Sequence, residues 1–178
     1  CQAAGKRLYV LWLDAHADFN TPETSPSGNI HGIPVACLSG MGPHELTQLA
    51  GFAPALGPDS LCQIGLRSVD DQEKHLIKTH NIDVFDMRAI DELGMRETML
   101  RALAPLREAD PATTHLHLSF DVDFLDPDIA PGTGTTVRGG PNYREAQLCM
   151  EMIADTGLLG SIDIVELNPA LDLRNQTA

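Results

Sequence analysis

Short apolar runs that alternate with helical stretches are the feature that most constrains the fold of this chain. The first run, RLYVLWL at 7–13, is continuous, as in strands that are buried on both faces of a parallel sheet. Strands that alternate with helices predict an α/β fold, in which helices flank a mostly parallel sheet in three layers. Further strands are predicted at 61–66, 82–85, 114–120 and 158–165, and helices at about 32–38, 45–50, 71–79, 90–107 and 143–154.

Acidic segments follow three of the predicted strands. The sequence DAHAD at 14–18 follows the first strand, DVD at 121–123 follows the fourth, and Glu166 follows the last. Side chains at every second position of an extended chain share one face, so the members of each group can converge. Parallel α/β sheets bind ligands outside the carboxyl ends of their strands. The sequence therefore predicts a site at this edge of the sheet.

The chemistry of these segments predicts a metal centre. Four carboxylates and one imidazole in one place repel each other unless cations neutralise them. A single D-x-D at a strand end is often a helix cap or a solvated loop, but two clusters after buried strands favour a metal. Oxygen-rich ligands with some imidazole and no thiolate favour Mn(II) or a similar ion. The candidate ligands are Asp14, His16, Asp18, Asp121 and Asp123.

The composition argues against several kinds of partner. With 25 acidic and 12 basic residues the formal net charge is −13, which argues against nucleic acid, because that partner requires clustered Lys and Arg. No apolar run approaches the ~18 residues of a membrane span, so no membrane partner is expected. Cysteines without a C-x-x-C pair predict a reducing, cytoplasmic location. Of the four, Cys1, Cys37, Cys62 and Cys149, the second and fourth are predicted to be small buried hydrophobes.

Both ends of the sequence suggest a segment of a larger domain. Residues 1–6 predict the last turn of a helix closed by Gly5, and no initiator Met precedes them. Asn175 and Thr177 are suitable helix N-caps with no helix after them. We therefore expect residues 1–178 to form a single, incomplete domain.

The metal-type motifs resemble the arginase family within the ureohydrolases, and the likeness extends over essentially the whole chain. The DAHAD and SFDVD motifs are shared by ureohydrolases in general, whereas NTPETSPSGN at 20–29 is similar to arginases and differs from agmatinases. The matching stretches are DAHADFNTPETSPSGNIHGIP at 14–34, IGLRSVD at 64–70, SFDVDFLDPDIAPGTGTTVRGG at 119–140, NYREAQLCMEMI at 142–153 and SIDIVELNP at 161–169.

The resemblance implies a three-layer arginase-like catalytic domain that hydrolyses L-arginine to L-ornithine and urea. It implies two Mn²⁺ ions on the five ligands, with a bridging hydroxide as nucleophile and two ions ~3.5–4 Å apart. The family's remaining ligand is a histidine in a Gly-Gly-Asp-His motif, which residues 1–178 do not contain. A homo-oligomer, trimer or hexamer, is also implied.

The resemblance further implies roles for single residues. Asp18 would transfer a proton to the leaving amine, and His31 would shuttle protons, which suits imidazole near neutral pH. Glu166 would lie near the substrate guanidinium. The implied substrate-binding residues are Asn20, Ser27 and Asn29 for the α-carboxylate, Asp70 and Glu73 for the α-amino group, and Thr135.

The sequence departs from the family pattern at two positions. Ser68 stands where many arginases have an acidic residue, and Thr136 replaces a usual proline.

Two alternatives to an arginase stay open. One alternative is a ureohydrolase that acts on agmatine or another guanidino compound. The other is a catalytically incomplete remnant with a structural or metal-binding role, and we expect residues 1–178 alone to have weak activity or none.

Overall fold

The computed structural model describes all 178 residues. Five parallel strands form one sheet in the order β3-β2-β1-β4-β5. The strands are β1 (Arg7–Leu13), β2 (Leu61–Ile64), β3 (Asp83–Phe85), β4 (Thr114–Asp121) and β5 (Leu159–Val165). The α-helices are α1 (Pro34–Leu38), α2 (His44–Thr47), α3 (Asp71–Thr79), α4 (Met87–Leu93), α5 (Met95–Ala102) and α6 (Tyr143–Asp155).

Alternating side chains of the central strands build two apolar clusters, one on each face of the sheet. Leu11 and Leu13 point to one face, where they belong to a cluster with residues of α4, α5 and α6. Val10 and Trp12 point to the other face and belong to a cluster with residues of α1 and of the segment that follows β1. The three layers predicted from the sequence are thereby confirmed.

The predicted helix over 90–107 is wrong. Helix α4 begins earlier, at Met87, where the Asp86 carboxylate accepts a hydrogen bond from Ala89 N at 2.8 Å. It ends at Gly94, whose φ of 79° and ψ of 151° are open essentially only to glycine. A second helix, α5, then runs to Ala102, and a 3₁₀ turn with a proline inside it, Ala104–Leu106, follows.

Smaller differences concern the short helices. The helix predicted at 32–38 is a 3₁₀ turn, Ile30–Gly32, followed by α1, which starts at Pro34 because proline suits the first helical position. The helix predicted at 45–50 is the single turn α2. Cys37 and Cys149 are buried, as predicted. No helix combines the length and the apolar content that crossing a membrane requires.

Candidate metal centre and active site

The acidic segments meet at the carboxyl ends of β1 and β4, which are neighbours in the middle of the sheet. The chain leaves β1 towards β2 and β3 on one side, while β4 and β5 lie on the other side, so the strand order reverses between β1 and β4. A crevice at such a reversal is the usual ligand site of an open α/β sheet.

Three of the predicted ligands converge on one point. His16 Nδ1 lies 3.0 Å from Asp123 Oδ2 and 3.4 Å from Asp14 Oδ1. One ligand atom from each of these three residues falls within 4.8 Å of the others, which is close enough for a shared ion. Ala15 N also donates a hydrogen bond to Asp123 Oδ1 at 3.1 Å, and this contact ties the segment after β1 to the segment after β4.

Asp18 and Asp121 lie beside this trio but are not members of it. Burial, and then the charges of Asp14 and Asp121, raise the pKa of Asp18 to about 9. Burial and the charges of Asp14 and Asp123 likewise raise the pKa of Asp121 to about 9. Both carboxylates are therefore electrostatically part of one cluster that lacks a sufficient counter-charge.

Within the trio, the imidazole partly supplies that charge. Burial lowers the pKa of His16, but hydrogen bonds to Asp123 and Asp14 outweigh burial and raise it to about 10. Burial raises the pKa of Asp14 to about 6. Burial acts upward on Asp123 as well, but the hydrogen bond from His16 brings the pKa of that carboxyl below its usual value. A divalent cation would relieve this excess of buried carboxylate, so the residues present fit a metal.

Two side chains outside the predicted ligand set orient the carboxylates. Trp12 Nε1 donates a hydrogen bond to Asp14 Oδ2 at 2.9 Å. Thr135 Oγ1 donates to Asp123 Oδ2 at 3.0 Å, so this predicted substrate-binding residue lies directly against a candidate ligand. Outer partners of this kind fix the orientation of metal ligands.

The predicted catalytic and substrate-binding residues, except Asn29, line two adjoining cavities. A cavity of about 520 Å³ is lined by Asn20, Ser27, Asp70, Glu73 and Thr135, together with His16. A second cavity of about 430 Å³ is lined by Asp121, Glu166 and an apolar wall. Asp18 and His31 line both cavities and thus lie at their junction.

Asn20, Asp70 and Glu73 form a hydrogen-bonded group on the wall of the larger cavity. Asn20 Nδ2 donates to Asp70 Oδ2 at 2.7 Å, and the other Asp70 oxygen caps α3 through Gln72 N and Glu73 N. Glu73 Oε2 accepts from Asp70 N at 3.3 Å, which completes a capping box. Burial raises the pKa of Glu73. Ser27 lines this cavity, whereas Asn29 is exposed outside the lining.

Arg67 belongs to the site, but its role was not predicted from the sequence. Its guanidinium donates hydrogen bonds to five backbone carbonyls, of Gly65, Asp123, Phe124, Leu125 and Val137, at 2.6–3.2 Å. These contacts join the end of β2 to two parts of the loop that follows β4, residues 123–125 and Val137. The only available signal was an arginine inside the matching segment 64–70, because partners that are all backbone carbonyls leave no pattern in the sequence.

The protein has an α/β fold, with a parallel sheet whose strand order reverses between β1 and β4. At this reversal, carboxylates and an imidazole form a candidate metal centre. The sequence matches the model of the arginase family over residues 1–178. The chain belongs to the arginase family.

Individual relatives agree with this assignment. The chain is 49% identical to an arginase of Bacillus caldovelox over 97% of its own length and 57% of that protein. It is also 49% identical to an arginase of Brucella melitensis over 98% of its length and 56% of that protein. The chain thus spans little more than half of these relatives.

Solved structures show the same fold. The arginase structure from Bacillus caldovelox superposes with a TM-score of 0.91 at 48% identity, over 96% of this chain and 56% of that one. A structure of Entamoeba histolytica arginase in complex with L-ornithine has a TM-score of 0.86 at 38% identity, over 94% of this chain and 55% of that one. The arginase-like fold expected from the sequence is confirmed.

Proposed function

We propose that the complete protein hydrolyses L-arginine to L-ornithine and urea, with two Mn²⁺ ions as cofactors. The observation that carries this proposal is the convergence of Asp14, His16 and Asp123 on one point, with Asp18 and Asp121 on the walls of the adjoining cavities. The Asp14, His16 and Asp123 trio would hold one ion, and Asp18 and Asp121 would contribute to a second. Bound there, the ions would lower the pKa of water and so would supply a nucleophile at neutral pH.

The chain's own residues would handle the protons. Hydrolysis joins the oxygen of water to the guanidinium carbon and breaks the bond to the side-chain nitrogen, which leaves as an amine and needs a proton. Asp18 faces both cavities, so its carboxylate can take the proton released by water on one side and deliver it to the amine on the other. His31 borders the same junction and is exposed, a position from which it can exchange protons with solvent.

Substrate recognition would use the polar wall of the larger cavity. Ser27 and Asn20 offer donors to an α-carboxylate, while Asp70 and Glu73 offer carboxylate oxygens to an α-amino group. Asn29, two positions after Ser27, would act from outside the lining of this cavity. Glu166, on the smaller cavity with Asp121, would pair with the guanidinium cation. The L-ornithine complex of the Entamoeba histolytica relative supports an amino-acid product of this size and charge.

The test is urea release with added Mn²⁺ from L-arginine and, in parallel, from agmatine, using protein made from the complete reading frame. We expect urea from arginine and none from agmatine, because agmatine lacks the α-carboxylate. Asp121→Ala should abolish the activity, since it removes a buried candidate ligand. Asp128→Ala, in an exposed aspartate seven positions on, is the matched control and should retain it.

The other outcomes separate the alternatives. Urea from agmatine instead of arginine would keep the metal chemistry and overturn the substrate assignment of Asn20, Ser27 and Asn29. No urea from either substrate would favour the structural or metal-binding remnant. The subunit arrangement, a trimer or hexamer, is part of the same proposal and would be read from light scattering on the same preparation.

A further inference from the structure

Gln63 is a polar residue at a fully buried position of the sheet, where an apolar residue is expected. It lies on β2, is 0% exposed, and faces the same side of the sheet as Leu61, whose apolar cluster includes Ala17 and Phe19. Its Nε2 donates a hydrogen bond to Ala17 O at 2.6 Å. Its Oε1 is buried and has no hydrogen-bond partner. An amide that is only half satisfied is unfavourable for folding, so its presence needs another explanation.

The carbonyl that Gln63 holds belongs to the peptide just before Asp18. Asp18 has a φ of 52°, in the left-handed region that residues with a side chain rarely adopt. Such a conformation persists only where the surroundings over-determine it, and it is common at functional sites. Asp18, at this left-handed turn, lines both cavities.

Contacts from three elements hold this turn. Gln63 Nε2 on β2 donates to the carbonyl before Asp18, and Phe19 N donates to Glu73 Oε1 of α3 at 3.1 Å. Val35 N and Ala36 N of α1 donate to Asp18 O at 3.0 and 3.4 Å. The α1 contacts belong to the start of that helix, and Glu73 also completes the capping box of α3, so both serve the local fold as well. The contact to the turn is the only side-chain hydrogen bond that Gln63 makes.

We propose that Gln63 is a positioning residue that holds the Asp18 carboxylate in place for proton transfer. This inference rests on the proposed function, in which Asp18 moves the proton. Gln63 acts through the backbone and touches no reacting atom, so its loss should affect turnover and leave substrate binding intact.

The decisive variant is Gln63→Met in the Mn²⁺-loaded protein from the complete reading frame. Methionine has a similar length but neither the donor nor the unpartnered oxygen, so the urea midpoint of unfolding should stay the same or rise. We expect kcat to fall by roughly tenfold, as for loss of a supporting contact at a metal site, with KM unchanged. Hydrogen exchange measured by mass spectrometry should become faster in peptides that cover 15–20.

Ile64→Val is the matched control on the same strand. Ile64 is also fully buried but points to the opposite face, so this variant should lower the urea midpoint while keeping kcat and the exchange of 15–20. The proposal is overturned if Gln63→Met keeps full kcat, or if its kcat and urea midpoint fall together. If the unmodified protein releases no urea, the proposed function fails, and the exchange of 15–20 alone then decides whether Gln63 holds the turn.

Discussion

The buried carboxylates make the stability of the metal-free protein depend on pH in a definite direction. The pKa values of Asp18 and Asp121, about 9, lie far above the ordinary 3.8, so the folded state retains protons that the unfolded chain releases. Stability from such groups is lost as pH rises from the unfolded value to the folded one. His16, with a pKa of about 10, stabilises fully below its ordinary 6.5 and loses this effect as pH rises. All three groups act in the same direction between pH 6 and 8.

We therefore expect the melting temperature of the metal-stripped protein to fall from pH 6 to pH 8. Added Mn²⁺ should raise it more at pH 8, where fewer protons compete for the ligands. Differential scanning calorimetry with and without Mn²⁺ measures both effects. Asp121→Asn, which removes one titrating group, should flatten the metal-free slope. A metal-free protein that becomes more stable between pH 6 and 8 would contradict the raised pKa values.

How much of the site could be predicted from the sequence differs from residue to residue. The DAHAD and DVD segments predicted that ligand-type side chains would meet, and Asp14, His16 and Asp123 do so. The contribution of Trp12 could not be predicted, because its indole is one of many apolar groups in a buried strand. The role of Gln63 could not be predicted either, because its amide contacts a backbone turn 46 positions earlier and such a contact leaves no local pattern in the sequence.

At the scale of elements, periodicity located the helices better than it located their ends. All five strands were predicted within two residues of their bounds, and α3 at its observed bounds. The prediction of one helix over 90–107 was wrong because the helical spacing of apolar residues continues through Gly94, whereas the helical backbone is interrupted there. Side-chain pattern records which face is buried, but a glycine's φ depends on how the flanking helices pack.

Gly94 should therefore be intolerant of a side chain for reasons of backbone alone. A Cβ at this position would meet no atom within 4 Å, but the φ of 79° with ψ of 151° is strained for alanine. We expect Gly94→Ala to lower the free energy of unfolding by about 1–3 kcal/mol. Gly57 offers equally open space at a φ of −92°, so Gly57→Ala should be neutral or stabilise by about 0.4–1 kcal/mol. Equal effects of the two variants in urea titrations would refute this account.

At the scale of the whole molecule, the order of the strands in the sheet could not be predicted. The apolar runs indicate where the strands lie in the sequence but not which strands pair with each other. The order matters, since the metal-type site depends on β4 lying beside β1. It also places β5 at the edge of the sheet, where all seven of its residues are exposed. Ile162 is 47% and Ile164 64% exposed, and the segment after β5 exposes Leu171 and Leu173. A long apolar edge strand is an established template for pairing between chains.

The 178-residue chain by itself should accordingly self-associate through β5. Multi-angle light scattering should show a mass that rises with concentration, and Ile164→Lys should restore the monomer by placing a charge on the open strand. Leu49→Lys, at an apolar side chain that is 80% exposed but far from β5 in sequence, should leave association unchanged. If both variants reduce association equally, the cause is a general gain in solubility. If the unmodified chain is monomeric at all concentrations, the β5 edge does not mediate association. If Ile164→Lys alone acts, β5 is the associating surface, one that further residues would cover in a protein as long as the relatives, of which this chain spans 56–57%.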